Sequence, residues 1–153
     1  MKKMKKNILN IRNNYENLLL LSKESFATIK TKDYNQHKLV KELEKREFDS
    51  LNENKSILRT QLSEKAKLYG KKEMKIRDVI KEELTTEEEI EEIEEAVKMM
   101  IDKENEFRQQ LKMTIEIAQV MYKINNDYIE GALEIAKKEN IDRTGSMILE
   151  QDY

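Results

Sequence analysis

Few residues of this chain have types and spacings that could support metal binding or catalysis. The chain has one histidine, His37, and no cysteine. A ferritin-like di-iron site needs paired Glu-x-x-His motifs, which this sequence lacks. A lone histidine without such partners is expected at the surface. The sequence therefore predicts no metal site and no other cofactor.

The acidic and hydroxyl residues do not form a catalytic pattern either. Residues 87–95 carry seven carboxylates, but Ile90 and Ile93 interrupt them, which is typical of the solvated side of an amphipathic helix. No glycine-rich phosphate loop is present, and the serines have no companion base. These absences favour a binding or structural protein over an enzyme.

The elements that must position any site are helices. The chain has 153 residues, of which 39% are charged and 38% hydrophobic, with three glycines and no proline. A β-sandwich or barrel needs frequent turns of the glycine, proline and asparagine type, so neither is expected. Thin helical bundles match this composition, because each helix buries only a narrow apolar stripe. We expect an all-α protein: an antiparallel helical hairpin or a three-helix coiled-coil bundle with one long C-terminal helix.

Charge is distributed unevenly along the chain. Residues 1–84 hold 21 basic and 13 acidic side chains, a balance of +8, and residues 85–153 hold 8 and 18, a balance of −10. The second half is therefore expected to fold back on the first. No basic run is interleaved with aromatic residues, so a nucleic-acid partner is not predicted. The longest aliphatic run, 18–21, is too short to span a membrane, and a cytoplasmic location without membrane insertion is expected.

Hydrophobic spacing predicts a single elongated domain, 1–139, with helices at about 7–29, 34–69, 72–84 and 87–139, and a flexible tail at 140–153. Asp33, Gly70 and Thr86 have the residue types that begin or end helices. The apolar side of the second helix is assigned to Val40, Leu43, Phe48, Leu51, Leu58, Leu62 and Tyr69.

A heptad register runs through the fourth helix over seven repeats, from Ile90 to Ile135. Some core positions are polar or small, among them Glu104, Thr114 and Ala118. A flattened bundle would need small residues where its helices come close. A groove that receives a partner helix is the other interpretation.

Two ends of the chain resemble one known family. Residues 18–21 (LLLL), 32–34 (KDY) and 39–46 (LVKELEKR) look like the first helix, short turn and charged second helix of FlgN-type flagellar export chaperones. Residues 125–135 (NNDYIEGALEI) are similar to the family's Asn-x-x-Leu-Ile-x-x-Ser-Leu motif. Residues 141–145 (IDRTG) resemble its closing Tyr-Asp-x-x-Gly motif.

The resemblance implies a cytoplasmic chaperone of the flagellar type III export system. Such proteins bind the C-terminal segments of the hook-associated proteins, which form the hook–filament junction. They prevent premature association of these clients and deliver them to the membrane export gate.

The resemblance also implies that clients bind the C-terminal helical region. Residues with helical spacing lie on one side of that region, and we expect them to form the client-binding face: Phe107, Leu111, Ile115, Ala118, Met121, Tyr122 and Ile129. Family members use a C-terminal aromatic residue to dock on the gate. Ile141 occupies that position here, so Tyr122 and Tyr128 are the candidates for docking.

Two other functions fit the same pattern. A self-associating structural coiled coil would use the heptads for a homodimer and have no client. An adaptor of another secretion system would share the fold but not the partners.

Overall fold

The computed structural model describes residues 1–120 and 133–138, which contain helices and no strand. The chain order is α1 (Lys2–Thr31), α2 (Tyr34–Leu68), the short α3 (Ile76–Glu83) and α4 (Glu87–Val120). Residues 133–138 are also helical. The predicted all-α class is confirmed. The continuation of α4 through 121–132 and the tail at 140–153 lie outside the described residues.

The three long helices form a bundle in which α1 contacts both α2 and α4. The amide of Asn7 donates to the carbonyl of Asn54, and Thr28 meets His37 at the other end, so α1 and α2 are antiparallel. Lys5 pairs with Glu92 at 2.8 Å near the start of both helices, so α4 runs parallel to α1. The short α3 makes the crossover from the end of α2 to the start of α4.

Two helices differ from their predicted extents. α1 begins at Lys2 because Met4 is buried, which extends the apolar seam by a turn into the lysine-rich start. α3 begins at Ile76, four residues later than predicted, where the Asp78 carboxylate accepts a hydrogen bond from the Lys75 backbone N–H. Ile76, Val79 and Ile80 then close the base of the bundle.

Local signals set the remaining helix ends. The Asp33 carboxylate accepts from the Gln36 backbone N–H at 3.1 Å and caps α2. Gly70, with a φ of 65°, follows the end of α2. The Thr86 hydroxyl accepts from the backbone N–H of Glu89 at 3.4 Å. These three predictions are confirmed.

The heptad register also holds in α4, where core positions from Ile93 to Ala118 are buried. In α2 the buried positions again follow a heptad, but they include polar residues. The assignment of Leu43 to the apolar side is wrong. Its side chain is 47% exposed, because the neighbouring Glu44 takes the inward position of the repeat.

The turn between α1 and α2 places Lys32 in the left-handed region, with a φ of 57°. Such a backbone is costly for a residue with a Cβ and natural for glycine. We expect Lys32→Gly to raise the free energy of unfolding by about 1 kcal/mol. Gly70→Ala should lower it by a similar amount, since an added Cβ there meets no atom within 4 Å and only the backbone is strained. Urea unfolding of both variants checks the pair, and equal midpoints would contradict it.

Candidate functional site

The predicted client-binding face lies on the inward side of α4. Phe107, Leu111 and Ala118 are buried, and Ile115 is half-buried beside them. The structure thus brings these four residues onto one face, as the spacing indicates, but buries three of them inside the bundle. The other predicted site residues, Met121, Tyr122, Tyr128 and Ile129, lie outside the described residues.

Phe107 stands at the centre of this arrangement. Its ring centroid lies 6.2 Å from that of Tyr15 on α1 and 5.8 Å from that of Phe48 on α2, the latter edge to face. Such aromatic contacts add to the stabilisation from area burial. The three rings therefore mark a level at which all three long helices are held together.

The core differs in composition on the two sides of this aromatic level. The proximal side, toward the chain start and α3, is mainly aliphatic and includes Ile8, Ile11, Leu58, Val97 and Met100. We define the distal end as residues 22–31 of α1, 34–44 of α2 and 111–120 of α4. Its interior contains six buried polar residues: Ser22, Ser25, Thr28, His37, Glu44 and Thr114. The distal end therefore has less apolar area to hold α4 in place.

His37 is part of this polar interior, so the expectation of a surface histidine is wrong. Its exposure is only 8%. The Thr28 hydroxyl donates to the Ser25 carbonyl at 2.7 Å, so its oxygen accepts from His37 Nδ1 at 2.9 Å. Burial, together with the nearby Lys41 ammonium, lowers the pKa of His37 to about 4. The ring is therefore neutral at pH 7 and acts as a structural hydrogen-bond partner.

Lys41 and Glu44 form a second polar feature of the distal end. Their charged atoms lie 3.1 Å apart, and the Glu44 side chain is almost wholly buried. Burial lowers the pKa of Lys41 and raises that of Glu44, and each partner's charge opposes the other's shift. This pair was not predicted from the sequence, although 37, 44, 48, 51, 55, 58 and 62 form a heptad whose polar members are visible there.

Charged residues also lie in the core just below the aromatic level. Glu104 is 1% exposed and its carboxylate lies 3.0 Å from the Arg108 guanidinium. Lys55 is 2% exposed, with its ammonium 5.3 Å from the centre of the Tyr15 ring. Buried charges with partners penalise any packing that separates them, so these residues favour one register of the helices.

Residues 133–138 return to the bundle at the distal end. Ile135 is 8% exposed and belongs to the same apolar cluster as Phe107 and Leu111. The Glu134 carboxylate is close enough to the Lys41 ammonium to oppose the lowering of that group's pKa. The outer side of the segment is open, since Leu133 is 44% exposed.

The described residues contain no group of three or more His, Cys, Asp or Glu side chains that could hold a metal ion. In the same part of the chain, no helix is long and apolar enough to cross a membrane. Comparisons of the whole chain with protein-family models, with curated proteins and with solved structures give no match.

The lowered pKa of His37 predicts a pH-dependent stability. The unfolded chain binds a proton near pH 6.5 and the folded chain only near pH 4, so stability is lost as pH falls through that window. Protonation of His37 should lower the free energy of unfolding by about 2 kcal/mol between pH 7.5 and 4.5. The His37→Gln variant should lack this part of the pH dependence. Urea unfolding at pH 7.5 and 4.5 measures it. Glu44 acts in the opposite sense, so the comparison is between parent and variant. The same pH dependence in both would contradict the prediction.

The polar interior also predicts where the bundle opens first. Backbone amides in residues 107–118 of α4 should exchange with solvent faster than those in 93–104, because fewer apolar contacts oppose local opening at the distal end. Hydrogen–deuterium exchange followed by mass spectrometry measures both segments in one experiment. Equal protection of the two would show that the polar interior does not weaken this end.

Proposed function

We propose that the protein is a cytoplasmic export chaperone of the flagellar type III system, a binding protein and not an enzyme. Its clients are the hook-associated proteins of the hook–filament junction, bound through their C-terminal segments. Binding prevents their premature association and precedes delivery to the export gate. The family resemblance described above supplies this identity of clients.

The observation that carries the proposal is the polar interior of the distal end. A client must reach the inward face of α4, where Phe107, Leu111 and Ala118 are buried in the bundle. At the distal end, α1 buries Ser22, Ser25 and Thr28, which offer little apolar area. Separation of α4 from α1 is therefore least costly there, and the proximal aliphatic core can keep the fold intact meanwhile.

An amphipathic client segment would supply the apolar contacts that α1 provides poorly at the distal end. Each Leu or Phe that it buries against α4 contributes roughly 1.5–3 kcal/mol, more than a serine or threonine at the same place. A segment that is disordered before binding folds as it forms these contacts. The half-buried Ile115 lies at the edge of the face and is suited to make the first contact.

Docking on the gate is proposed for Tyr122, which is also a member of the client-binding face, or for Tyr128, which directly precedes Ile129 in the sequence. This assignment rests on the family resemblance. A phenylalanine substitution at either position tests it through export of the client, while client binding in solution serves as the control.

The rival is a coiled coil that self-associates through the α4 heptads. In this bundle the same heptad positions are occupied by contacts within the chain, because Phe107 meets Tyr15 and Phe48. A homodimer through that seam would have to replace these contacts. The rival requires a dimer, whereas the chaperone proposal does not. A monomer by light scattering at high concentration would therefore exclude the self-associating coiled coil.

The direct test is a charge on the proposed face. Ile115→Glu should weaken binding of a junction-protein C-terminal peptide at least tenfold, since a lost contribution of about 1.4 kcal/mol corresponds to a factor of ten. Leu111→Glu should act in the same direction. Gln109→Glu adds the same charge at an exposed position of α4 and should change little. Calorimetric titration measures affinity, and circular dichroism confirms that each variant is folded.

The outcomes separate two errors. Folded Ile115→Glu and Leu111→Glu proteins that bind as well as the parent would show that the face is wrong. A parent protein that binds no junction-protein peptide would overturn the chaperone proposal itself.

A further inference from the structure

Residues 133–138 occupy a specific place on the bundle. Ile135 is inserted into the apolar cluster, while Leu133 of the same segment faces solvent. Glu134 lies near Lys41, which is seven residues before Phe48. Residues seven apart share a helix face, and the Phe48 ring meets Phe107, so Lys41 lies on the flank of α2 that faces α4. The segment therefore sits at the distal end, beside the seam between α2 and α4.

The contacts that hold this segment are few. Ile135 is its one buried apolar side chain among the six described residues. The ion pair between Glu134 and Lys138 spans 3.9 Å within the segment and is exposed, so it contributes little. Among the described residues, the segment's contacts with the bundle are thus mainly one buried side chain and one charge interaction, and an amphipathic client segment could replace them.

We infer that residues 133–138 occupy part of the client site in the free protein and that the client displaces them. This inference rests on the proposed function and names the surface at which the client begins to bind. The chain's own segment shows which chemistry fits there: an aliphatic side chain in the place of Ile135, next to a carboxylate that faces the Lys41 ammonium.

This arrangement gives the distal end a removable cover. In the free protein, Ile135 shields apolar surface that would otherwise be exposed to solvent and to other chains. When the client carries both an aliphatic anchor and an acidic neighbour, it can satisfy Lys41 as it replaces Ile135. A client peptide whose acidic residues beside the anchor are changed to amides should therefore bind several-fold more weakly.

The experiment compares two releasing variants with a matched control. Ile135→Glu removes the buried anchor, and Glu134→Lys places a second positive charge near Lys41 from an exposed position that does not threaten the fold. Leu133→Glu introduces a charge in the same segment on its open side. All three are made in the full chain, and circular dichroism confirms that each is folded.

The first readout is affinity for the junction-protein C-terminal peptide, measured by calorimetry. We expect both releasing variants to bind about tenfold more tightly than the parent, because the peptide no longer competes with the chain's own segment. The Leu133→Glu variant should bind like the parent. Equal affinity of the parent and the releasing variants would overturn the inference and leave the proposed function standing.

The second readout is hydrogen exchange in residues 133–138. Their amides should be protected in the parent and in Leu133→Glu, and should lose protection in the releasing variants and in the parent when the peptide is added. A peptide that binds while this protection stays unchanged would overturn displacement alone. Failure of every protein to bind the peptide would overturn the proposed function and the inference with it.

Discussion

The fold depends on α1 packing against two helices, α2 and α4, at once. Its buried residues run from Met4 to Ile29 and cover a face wide enough to meet α2 on one side and α4 on the other. Asparagine and serine contacts such as Asn14 with Ser50 dominate the edge toward α2. Aliphatic and aromatic contacts centre on Tyr15 and reach α4. Because α2 and α4 make few contacts with each other apart from large side chains such as Phe48 and Phe107, the position of α4 follows from its packing on α1.

A wide face that is apolar at one end and polar at the other gives the bundle two regions that differ in local stability. The proximal region has α3 and an aliphatic interior, and the Met1 ammonium and Lys65 both pair with Glu83 there. The distal end uses hydroxyls, an imidazole and a buried carboxylate in place of aliphatic side chains. Thr28 with His37, and Lys41 with Glu44, form hydrogen bonds there, but such bonds contribute less than burying an equal volume of hydrocarbon. A surface that must both stay covered and become available is well placed at such an end.

Local chemistry predicted most of the elements, and contacts between helices decided the remainder. Asp33, Gly70 and Thr86 act within one turn of their own positions, so their roles could be assigned from sequence. The α4 heptad was recognisable for the same reason. His37 and Glu44 were not recognised as interior residues, because their burial depends on Thr28 and Lys41 rather than on their own polarity. The α4 face was identified by its period, but only the packed bundle reveals that α1 covers it. No periodic signal could place Glu134 near Lys41, since that interaction joins distant parts of the chain.

The parallel course of α1 and α4 has a consequence for the order in which the protein is made. α1 and α2 are neighbours in sequence, so their hairpin can form as soon as Leu68 has left the ribosome. The side of α1 that receives α4 is fully covered only after Val120 has been synthesised, 52 residues later. At about 5–20 residues per second this interval lasts roughly 3–10 s. During that time the nascent chain presents the apolar strip of α1 that α4 later covers, and this strip is available to cellular holdases.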